Sequence, residues 1–251
     1  MLAPGLRKLS WLIARPIAHR GLHDSANGRI ENTMAAFTAA VEAGYAIECD
    51  LQLSGDGEAM VFHDYTLERL TMAEGAVSEH TCAEIKAVAL RRSTDTIPTL
   101  GELLEGVNGR VPLVIELKSR WNGDTRLARR ALDLLQDYRG PFGLMSFDPD
   151  LVEAIRAFSP ATPRGIVADR VADRSWGRLP LARRFELRHL LHLEQSAPHF
   201  VSFDAGGLPW PPVQKLRQAG LPVISWTVRS GAEASAVRRY CDQITFEGFC
   251  P

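Results

Sequence analysis

The sequence has 251 residues, of which 45% are hydrophobic and 24% are charged, and this balance excludes a disordered or fibrous chain. Lys and Arg number 29 and Asp and Glu number 30, so the formal net charge of −1 provides no overall field to attract nucleic acid or anionic lipid. The four cysteines form no CxxC pair, which argues against a zinc ribbon or a disulfide framework and is typical of a reducing compartment.

The apolar stretches of the chain are all short. Near its start, the stretch 12–14 falls far below the roughly 18 residues that a membrane span needs and the ~7 to 15 of a signal sequence. We therefore expect a cytoplasmic protein with no integral membrane association and no nucleic-acid partner. A homo-oligomer is compatible with the sequence.

Strand-like runs alternate with helix-period segments along the chain. The strand-like runs cover residues 16–21, 46–53, 59–63, 113–118, 142–147, 163–168, 200–203, 222–228 and 243–246. The helical segments cover residues 33–43, 124–138, 149–158, 181–193, 212–220 and 231–240. This alternation predicts βαβ units, and the absence of a linker rich in Pro, Gly or Ser predicts one domain over 1–251.

The second and third runs are the exception, because only residues 54–57 separate them. Such a connection is too short for a parallel crossover and fits a hairpin turn. Without the return strand, eight strands remain for parallel pairing, and about 250 residues is the usual length of a (β/α)8 barrel. The pattern favours an α/β fold of this kind, a TIM barrel with a β-hairpin extension after the second strand. An open doubly wound sheet is the alternative, but the chain lacks its GxGxxG turn.

Polar residues inside strands that are covered on both faces mark candidate site positions, since burying them is costly. The first strand ends in His19 and Arg20, at the carboxyl end where catalytic groups of this fold lie. In the second strand, Glu48, Asp50 and Gln52 share one face. Carboxylates confined together repel unless a cation lies between them, which predicts a hard divalent ion. Solvent-exposed side chains at strand ends are the alternative in both places.

The hairpin brings His63 towards these acids. A two-residue loop would place His63 opposite Asp50 or Glu48, depending on which residues form the loop. A three-residue loop would instead pair it with Cys49 and turn the ring away. The number of residues in the hairpin loop, two or three, therefore tests whether His63 belongs to the site.

The fourth strand adds Glu116 and Lys118, which share one face between apolar neighbours. Glu116 can complete a three-carboxylate site, and Lys118 can hold a phosphate or balance the acids. A structural pair formed by these two residues is the alternative. With Arg20 to bind phosphate oxygens and two imidazoles to move protons, the set predicts metal-assisted attack on a phosphodiester.

Several motifs in this order resemble the glycerophosphodiester phosphodiesterase family, namely those at 19–21, 31–33, 48–50, 56–57, 63–64 and 116–118. A looser similarity continues through 145–148 and 225–228. The resemblance implies a (β/α)8 barrel in which segment 65–100 is a small insertion. It also implies a small-molecule glycerophosphodiester as substrate, hydrolysed to sn-glycerol 3-phosphate and an alcohol with one divalent cation, Ca²⁺ or Mg²⁺.

The resemblance further implies a role for each candidate residue. The metal ligands would be Glu48, Asp50 and Glu116. The catalytic residues would be His19, His63 and Arg20, with the two histidines as the acid–base pair. The substrate would be bound by Lys118, Trp226 and Glu31, with Arg20 sharing the phosphate.

Some of these assignments keep a structural alternative. Asn32 is as well explained as a helix N-cap, with Glu31 only part of that turn, and a buried tryptophan such as Trp226 is more often part of a core. The sequence departs from the family pattern at Arg229 and Glu247, where Asn and Asp are frequent. These changes touch the rim and leave the metal and histidine positions in place.

Two other functions stay open. A lysophospholipase D or related phospholipase would act on a lipid-bearing diester, because the same barrel mouth could accept a longer alcohol. A catalytically silent barrel used as a binding module is suggested only by the rim departures. The sequence also does not choose between direct attack by water and attack by a substrate hydroxyl that gives a cyclic phosphate.

Overall fold

A closed ring of parallel strands forms the centre of the computed structural model, which describes residues 9–172 and 174–251. Its strands are β1 (Ile17–Ala18), β2 (Ala46–Leu53), β3 (Ala59–Val61), β4 (Leu113–Leu117), β5 (Phe142–Ser146), β6 (Arg164–Ala168), β7 (Phe200–Asp204), β8 (Val223–Val228) and β9 (Gln243–Phe246). Their order is β1-β9-β8-β7-β6-β5-β4-β2, and pairing of β1 with β2 closes the ring. Strand β3 lies outside the ring, antiparallel to β2. The predicted TIM barrel with a hairpin extension is confirmed.

Helices connect the strands and cover the outside of the ring. They are α1 (Ser10–Ile13), α2 (Met34–Glu42), α3 (Cys82–Ala87), α4 (Leu100–Val107), α5 (Arg126–Leu135), α6 (Pro149–Phe158), α7 (Leu181–His189), α8 (Leu193–Ser196), α9 (Pro211–Gln218) and α10 (Gly231–Val237). The predicted helix over 181–193 is divided, because Leu190 adopts a left-handed conformation with φ of 55° that ends α7. Among the described residues, no helix has both the length and the apolar character to cross a bilayer.

The two faces of the barrel strands follow the expected alternation. In β2, Ile47, Cys49 and Leu51 face outward and join the core between strands and helices. A second cluster fills the lumen with Ile17, Ala46, Val114, Met145, Val167, Phe200 and Ile224. A Cβ at Gly165 would lie 2.3 Å from the ring of Phe200, so only glycine allows that ring to fill the lumen.

The amino-terminal end of the barrel is closed by α1. Trp11 in this helix packs against the lumen cluster, and the Ile13 carbonyl accepts a hydrogen bond of 3.0 Å from Gln243 Nε2 in β9. The open end is therefore the carboxyl end of the strands, where the predicted site residues lie.

The segment after β3 is a small insertion, as the resemblance implies. It has an apolar core of its own beside β3, formed by Met60, Phe62, Leu67, Val77, Ile85, Leu90 and Ile97. Thr99 then begins α4, accepting a hydrogen bond from the Glu102 N–H at 3.2 Å, so the cap expected there is present. One domain over 1–251 stays a prediction, because residues 1–8 and 173 lie outside the described part of the chain.

Candidate active site

Three carboxylates meet at the mouth of the barrel. Strand register places Asp50 of β2 beside Glu116 of β4, and Glu48 lies one alternation step below Asp50. One oxygen from each of the three side chains lies within 4.8 Å of the others, and all three side chains are buried. Closely spaced carboxylate oxygens are the ligands that Ca²⁺ and Mg²⁺ prefer. The donor set therefore fits a hard divalent cation.

The electrostatics of the carboxylates agree with that fit. Burial raises the pKa of Glu48 well above its ordinary value, and the neighbouring charges of Asp50 and Glu116 raise it further. Burial also raises the pKa of Glu116, against the opposing effect of Lys118. A cation bound among these oxygens would remove the penalty for ionising both groups.

The pKa of Asp50 is shifted in the opposite direction, because positive charges surround this carboxylate. Burial alone would raise its pKa, but Lys118, followed by His63 and Arg20, outweighs burial and leaves the pKa below its ordinary value. Lys118 Nζ lies 2.8 Å from Asp50 Oδ1 and 2.6 Å from Glu116 Oε1. The two carboxylates raise the pKa of Lys118 although burial acts against them, so its ammonium stays charged.

Arg20 is fixed beside the same acids. It has a left-handed backbone with φ of 55°, and its N–H donates to Glu48 Oε2 at 3.0 Å. Its guanidinium donates to Glu31 Oε1 at 2.6 Å through Nη1. Nε lies 3.3 Å from Asp50 Oδ2, yet within the described residues this buried atom has no hydrogen-bond partner. The guanidinium is thus held beside the acids by ion pairs with Glu31 and Asp50.

His19 is held by a carboxylate from the other end of the chain. Its Nδ1 lies 2.6 Å from Glu247 Oε2, just beyond β9, and its Nε2 lies 3.9 Å from Glu48 Oε2. Burial lowers the pKa of His19, and the hydrogen bond with Glu247 opposes that effect. Glu247 Oε1 also lies 2.8 Å from Arg229 Nε. The two departures from the family pattern are thus ion-paired with each other.

The hairpin loop has three residues, so the predicted alternative of a two-residue loop is wrong. The observed partners are Leu51 with Val61 and Leu53 with Ala59, a register that would place position 63 opposite position 49. Gly57 accounts for the three-residue loop. Its φ of 88° is the left-handed conformation that the last residue of such a loop requires.

His63 nevertheless lies beside the acids, because β3 ends at Val61 and the chain bends at His63. His63 is close enough to contribute to lowering the pKa of both Asp50 and Glu116. Gln52 holds the bend, since its Nε2 donates to the carbonyl oxygens of His63 at 3.1 Å and Asp64 at 3.0 Å. The expectation that a three-residue loop turns the ring away is therefore wrong, because it extended the strand past its actual end.

The second imidazole also has a carboxylate partner. His63 Nδ1 lies 2.7 Å from Asp64 Oδ1. Arg69, from the insertion, forms an ion pair with Asp64 and donates to Glu31 Oε1 at 2.7 Å. Because Glu31 also binds Arg20, a continuous chain of charged groups joins Arg20 to His63. No local sequence pattern indicates Arg69, whose partners depend on how the insertion folds back.

Asn32 is not the N-cap of α2. Thr33 has that position, since its side chain accepts from the Ala36 N–H at 3.4 Å. Asn32, with φ of 58°, instead donates from Nδ2 to Asp50 Oδ2 at 2.9 Å. Asn32 is therefore part of the site, and Glu31 and Asn32 both face its charged half.

Aromatic side chains occupy the other half of the mouth. Trp226 of β8 donates from Nε1 to the Ser202 carbonyl at 3.2 Å and contacts Phe147, with ring centroids 5.5 Å apart. The ring centroid of Trp176 lies 5.7 Å from that of Phe147, and the ring centroid of Trp121 lies 5.8 Å from that of Trp176. All four rings are half-buried. We call this row of Trp226, Phe147, Trp176 and Trp121 the aromatic wall.

Comparison with known proteins agrees with this geometry. A glycerophosphodiester phosphodiesterase of Caldanaerobacter subterraneus subsp. tengcongensis is 44% identical over 111 residues, which cover 41% of this chain and 44% of that protein. A lysophospholipase D of Rattus norvegicus is 32% identical over 146 residues, covering 53% of this chain and 44% of that protein. The aligned part thus spans less than half the length of either relative.

Solved structures share the fold. A phosphodiesterase of Oleispira antarctica, in complex with its product sn-glycerol-3-phosphate, superposes with a TM-score of 0.77 at 24% identity, covering 92% of this chain and 91% of that chain. Residues 19–245 match the model of the glycerophosphoryl diester phosphodiesterase family. With most of the chain inside that match, the protein belongs to the glycerophosphoryl diester phosphodiesterase family.

Proposed function

We propose that this protein hydrolyses glycerophosphodiesters to sn-glycerol 3-phosphate and an alcohol, with one divalent cation, Ca²⁺ or Mg²⁺. One observation carries the proposal. Three buried carboxylates with oxygens within 4.8 Å of one another lie beside two imidazoles, each hydrogen-bonded to a carboxylate of its own. Family membership and the product named for the Oleispira structure support the choice of substrate.

The charged half of the mouth would bind the phosphate. Glu48, Asp50 and Glu116 would hold the cation, which when bound neutralises phosphate charge and polarises the phosphorus–oxygen bonds. The Arg20 guanidinium would contact the phosphate oxygens, and Lys118 would add a second positive charge. Trp226 would pack against the glycerol.

Each histidine would move one proton. Because Nδ1 of His19 is bound by Glu247 and Nδ1 of His63 by Asp64, each ring directs Nε2 to the reacting groups. One Nε2 accepts the proton of the attacking oxygen as that oxygen bonds to phosphorus. The other donates a proton to the alcohol oxygen as the bond between that oxygen and phosphorus breaks. The attacking oxygen belongs to water or to a substrate hydroxyl, and trapping a cyclic phosphate would identify the latter.

Turnover of glycerophosphocholine tests the proposal. We expect activity that a chelator abolishes and that added Ca²⁺ or Mg²⁺ restores, with a loss of roughly 10²- to 10⁴-fold in His19→Ala and in His63→Ala. Calorimetry should show that both histidine variants still bind the cation, whereas Glu116→Gln binds it more weakly. An intact, metal-loaded protein without turnover would favour the silent binding module instead.

A further inference from the structure

Helix α7 and the turn after it expose large hydrophobic side chains to solvent. Leu181 has 79% of its surface exposed, more than any other large hydrophobic side chain of the described residues, and the exposed fractions of Phe185 and Leu191 are 59% and 60%. Leu181 and Phe185 are four residues apart in α7, so they lie on one face of the helix. Scattered apolar side chains are normal on a protein surface, whereas a cluster indicates an interaction surface.

The opposite face of α7 already packs against the barrel. Leu187 is buried, and Arg183 is held by two carboxylates, with Nη2 2.9 Å from Asp150 Oδ1 and Nη1 2.8 Å from Glu186 Oε2. The helix is therefore anchored through side chains other than Leu181 and Phe185. An apolar stripe on the solvent side of an anchored helix indicates a partner outside the domain.

Arginines run beside this apolar stripe. Arg184 and Arg188 are four residues apart on the flank of the stripe, and the exposed Arg178 comes just before the helix. Among the described residues, the ion pairs of α7 all belong to Arg183, so the other three arginines keep an uncompensated positive charge. The surface is thus locally positive although the net charge of the chain is −1. We call Leu181, Phe185, Arg178, Arg184 and Arg188 together the α7 face.

Two further rings extend the α7 face near the end of the helix. The ring centroids of Phe185 and His189 are 4.4 Å apart, and those of His189 and Trp210 are 6.3 Å apart. Trp210 Nε1 donates to the Arg188 carbonyl at 3.1 Å, and the Arg188 guanidinium carbon lies 5.5 Å from the Trp210 ring centroid. Tryptophan and arginine both combine an apolar body with a polar end, which suits a boundary between apolar and polar surroundings.

Helix α7 lies along the rim of the barrel mouth. It follows the loop that carries Trp176 of the aromatic wall. Arg183 near its start is paired with Asp150 at the start of α6, and Arg188 near its end is bound to Trp210 at the start of α9. Both α6 and α9 begin at the carboxyl ends of strands. A surface bound to the α7 face would therefore border the opening through which substrate would enter.

We propose that the α7 face docks the protein on the surface of an anionic phospholipid bilayer. Leu181 and Phe185 would enter the boundary between head groups and acyl chains, and the arginines would contact lipid phosphates. A second copy related by a two-fold axis would bring identical arginines together, and their repulsion opposes such a dimer. A stable protein interface also needs about 800 Å² on each partner, whereas a few apolar side chains with positive charge are enough for reversible binding to a bilayer.

Flotation with lipid vesicles tests this docking. Vesicles of phosphatidylcholine mixed with phosphatidylglycerol should carry the full chain, and binding to pure phosphatidylcholine should be weaker by about tenfold or more. Added salt should weaken binding to the mixed vesicles, because it screens the exposed arginines. Phe185→Ser should raise the dissociation constant about tenfold, since a buried phenyl ring is lost. Arg178→Gln with Arg188→Gln should raise it about fivefold for each charge removed.

Matched controls remove similar groups from the other end of the barrel. Phe158→Ser removes an exposed ring at the end of α6, and Arg238→Gln with Arg239→Gln removes two exposed charges just after α10. Both control variants should bind the mixed vesicles as the wild type does. Because no substrate is present, failure of vesicle binding would leave the proposed hydrolysis untouched.

Two results would overturn bilayer docking. One is equal affinity of wild type and Phe185→Ser for the mixed vesicles. The other is a dimer in analytical ultracentrifugation that Phe185→Ser dissociates, without any binding to vesicles, which would assign the α7 face to a second copy of the chain.

Discussion

Each histidine at the mouth has its Nδ1 on a carboxylate, which would leave Nε2 for the proposed proton transfer. For His19 the carboxylate is Glu247, whose pKa is held well below its ordinary range by the hydrogen bond with His19 and by the nearby imidazole of His23. A carboxylate in this place fixes the tautomer of the ring and stabilises its charged form. Glu247 would thus act on the reaction through His19, as a positioning residue.

Replacement of Glu247 by Gln tests that role. Because the hydrogen bond from Glu247 raises the pKa of His19 against the effect of burial, its loss should lower that pKa. The limb of the kcat/KM profile that reports His19 should then move to lower pH, whether His19 acts as base or as acid. We also expect kcat to fall roughly 10- to 100-fold, as for other residues that orient a catalytic group.

The control for this measurement is Glu58→Gln, which removes a carboxylate paired with Arg130 on the outside of the barrel. A pH profile of Glu247→Gln that superimposes on the wild-type profile would remove Glu247 from the positioning role.

The acidic residues of the candidate metal site follow from local sequence, whereas the side chains that support the histidines do not. The period of two along a strand predicts that Glu48 and Asp50 share a face, and both are found in the lumen. Glu247 continues the same alternation just past the end of β9, but its partner His19 is 228 residues away. No local pattern reports a contact that exists only after the ring of strands closes.

At the scale of the elements, the existence of the strands was predictable, whereas the end of β3 was not. All nine predicted strands are present, because alternation and turn residues determine where a strand can form. The position of His63 depends instead on β3 ending at Val61 and on the Gln52 side chain holding the bend. Such an end is set by tertiary hydrogen bonds, which sequence spacing does not contain.

The insertion contributes to the site through Arg69, and a substitution there tests its importance. Arg69→Ala should lower kcat roughly 10- to 100-fold, because Asp64 and Glu31 lose their shared partner and His63 and Arg20 lose their orientation. Metal affinity measured by calorimetry should change little, since Arg69 contacts none of the three ligands.

Arg130→Ala is the matched control, as it removes a similarly half-exposed guanidinium from an ion pair with Glu58 far from the mouth. We expect Arg69→Lys to restore part of the lost kcat, because Lys keeps the charge but cannot bind both carboxylates through a planar fork. An unchanged kcat in Arg69→Ala would mean that the insertion covers part of the barrel without contributing to catalysis.

For the molecule as a whole, buried histidines predict how stability depends on pH. Burial lowers the pKa of His192 to about 4, from 6.5 in an exposed chain, and burial together with Arg164 lowers that of His199 to about 4 as well. As pH falls, the unfolded chain binds protons first, so the free energy of unfolding decreases between about pH 6.5 and pH 4.

Urea unfolding of His192→Gln at several pH values measures this contribution. His192 is almost fully buried, and its removal should make the decrease below pH 6.5 shallower by up to roughly 3 kcal/mol at pH 4. His199 should keep its own part of the pH dependence. His189→Gln controls for loss of an imidazole from the same segment, and equal slopes in wild type and His192→Gln would contradict the prediction.

The closing of the barrel by β1 and β9 also has a consequence for synthesis on the ribosome. A nascent chain that ends before Gln243 already contains all three acidic ligands, but His19 has no Glu247 and β1 has only one neighbouring strand. The proposed arrangement at His19 would therefore be complete only after β9 has emerged and paired with β1.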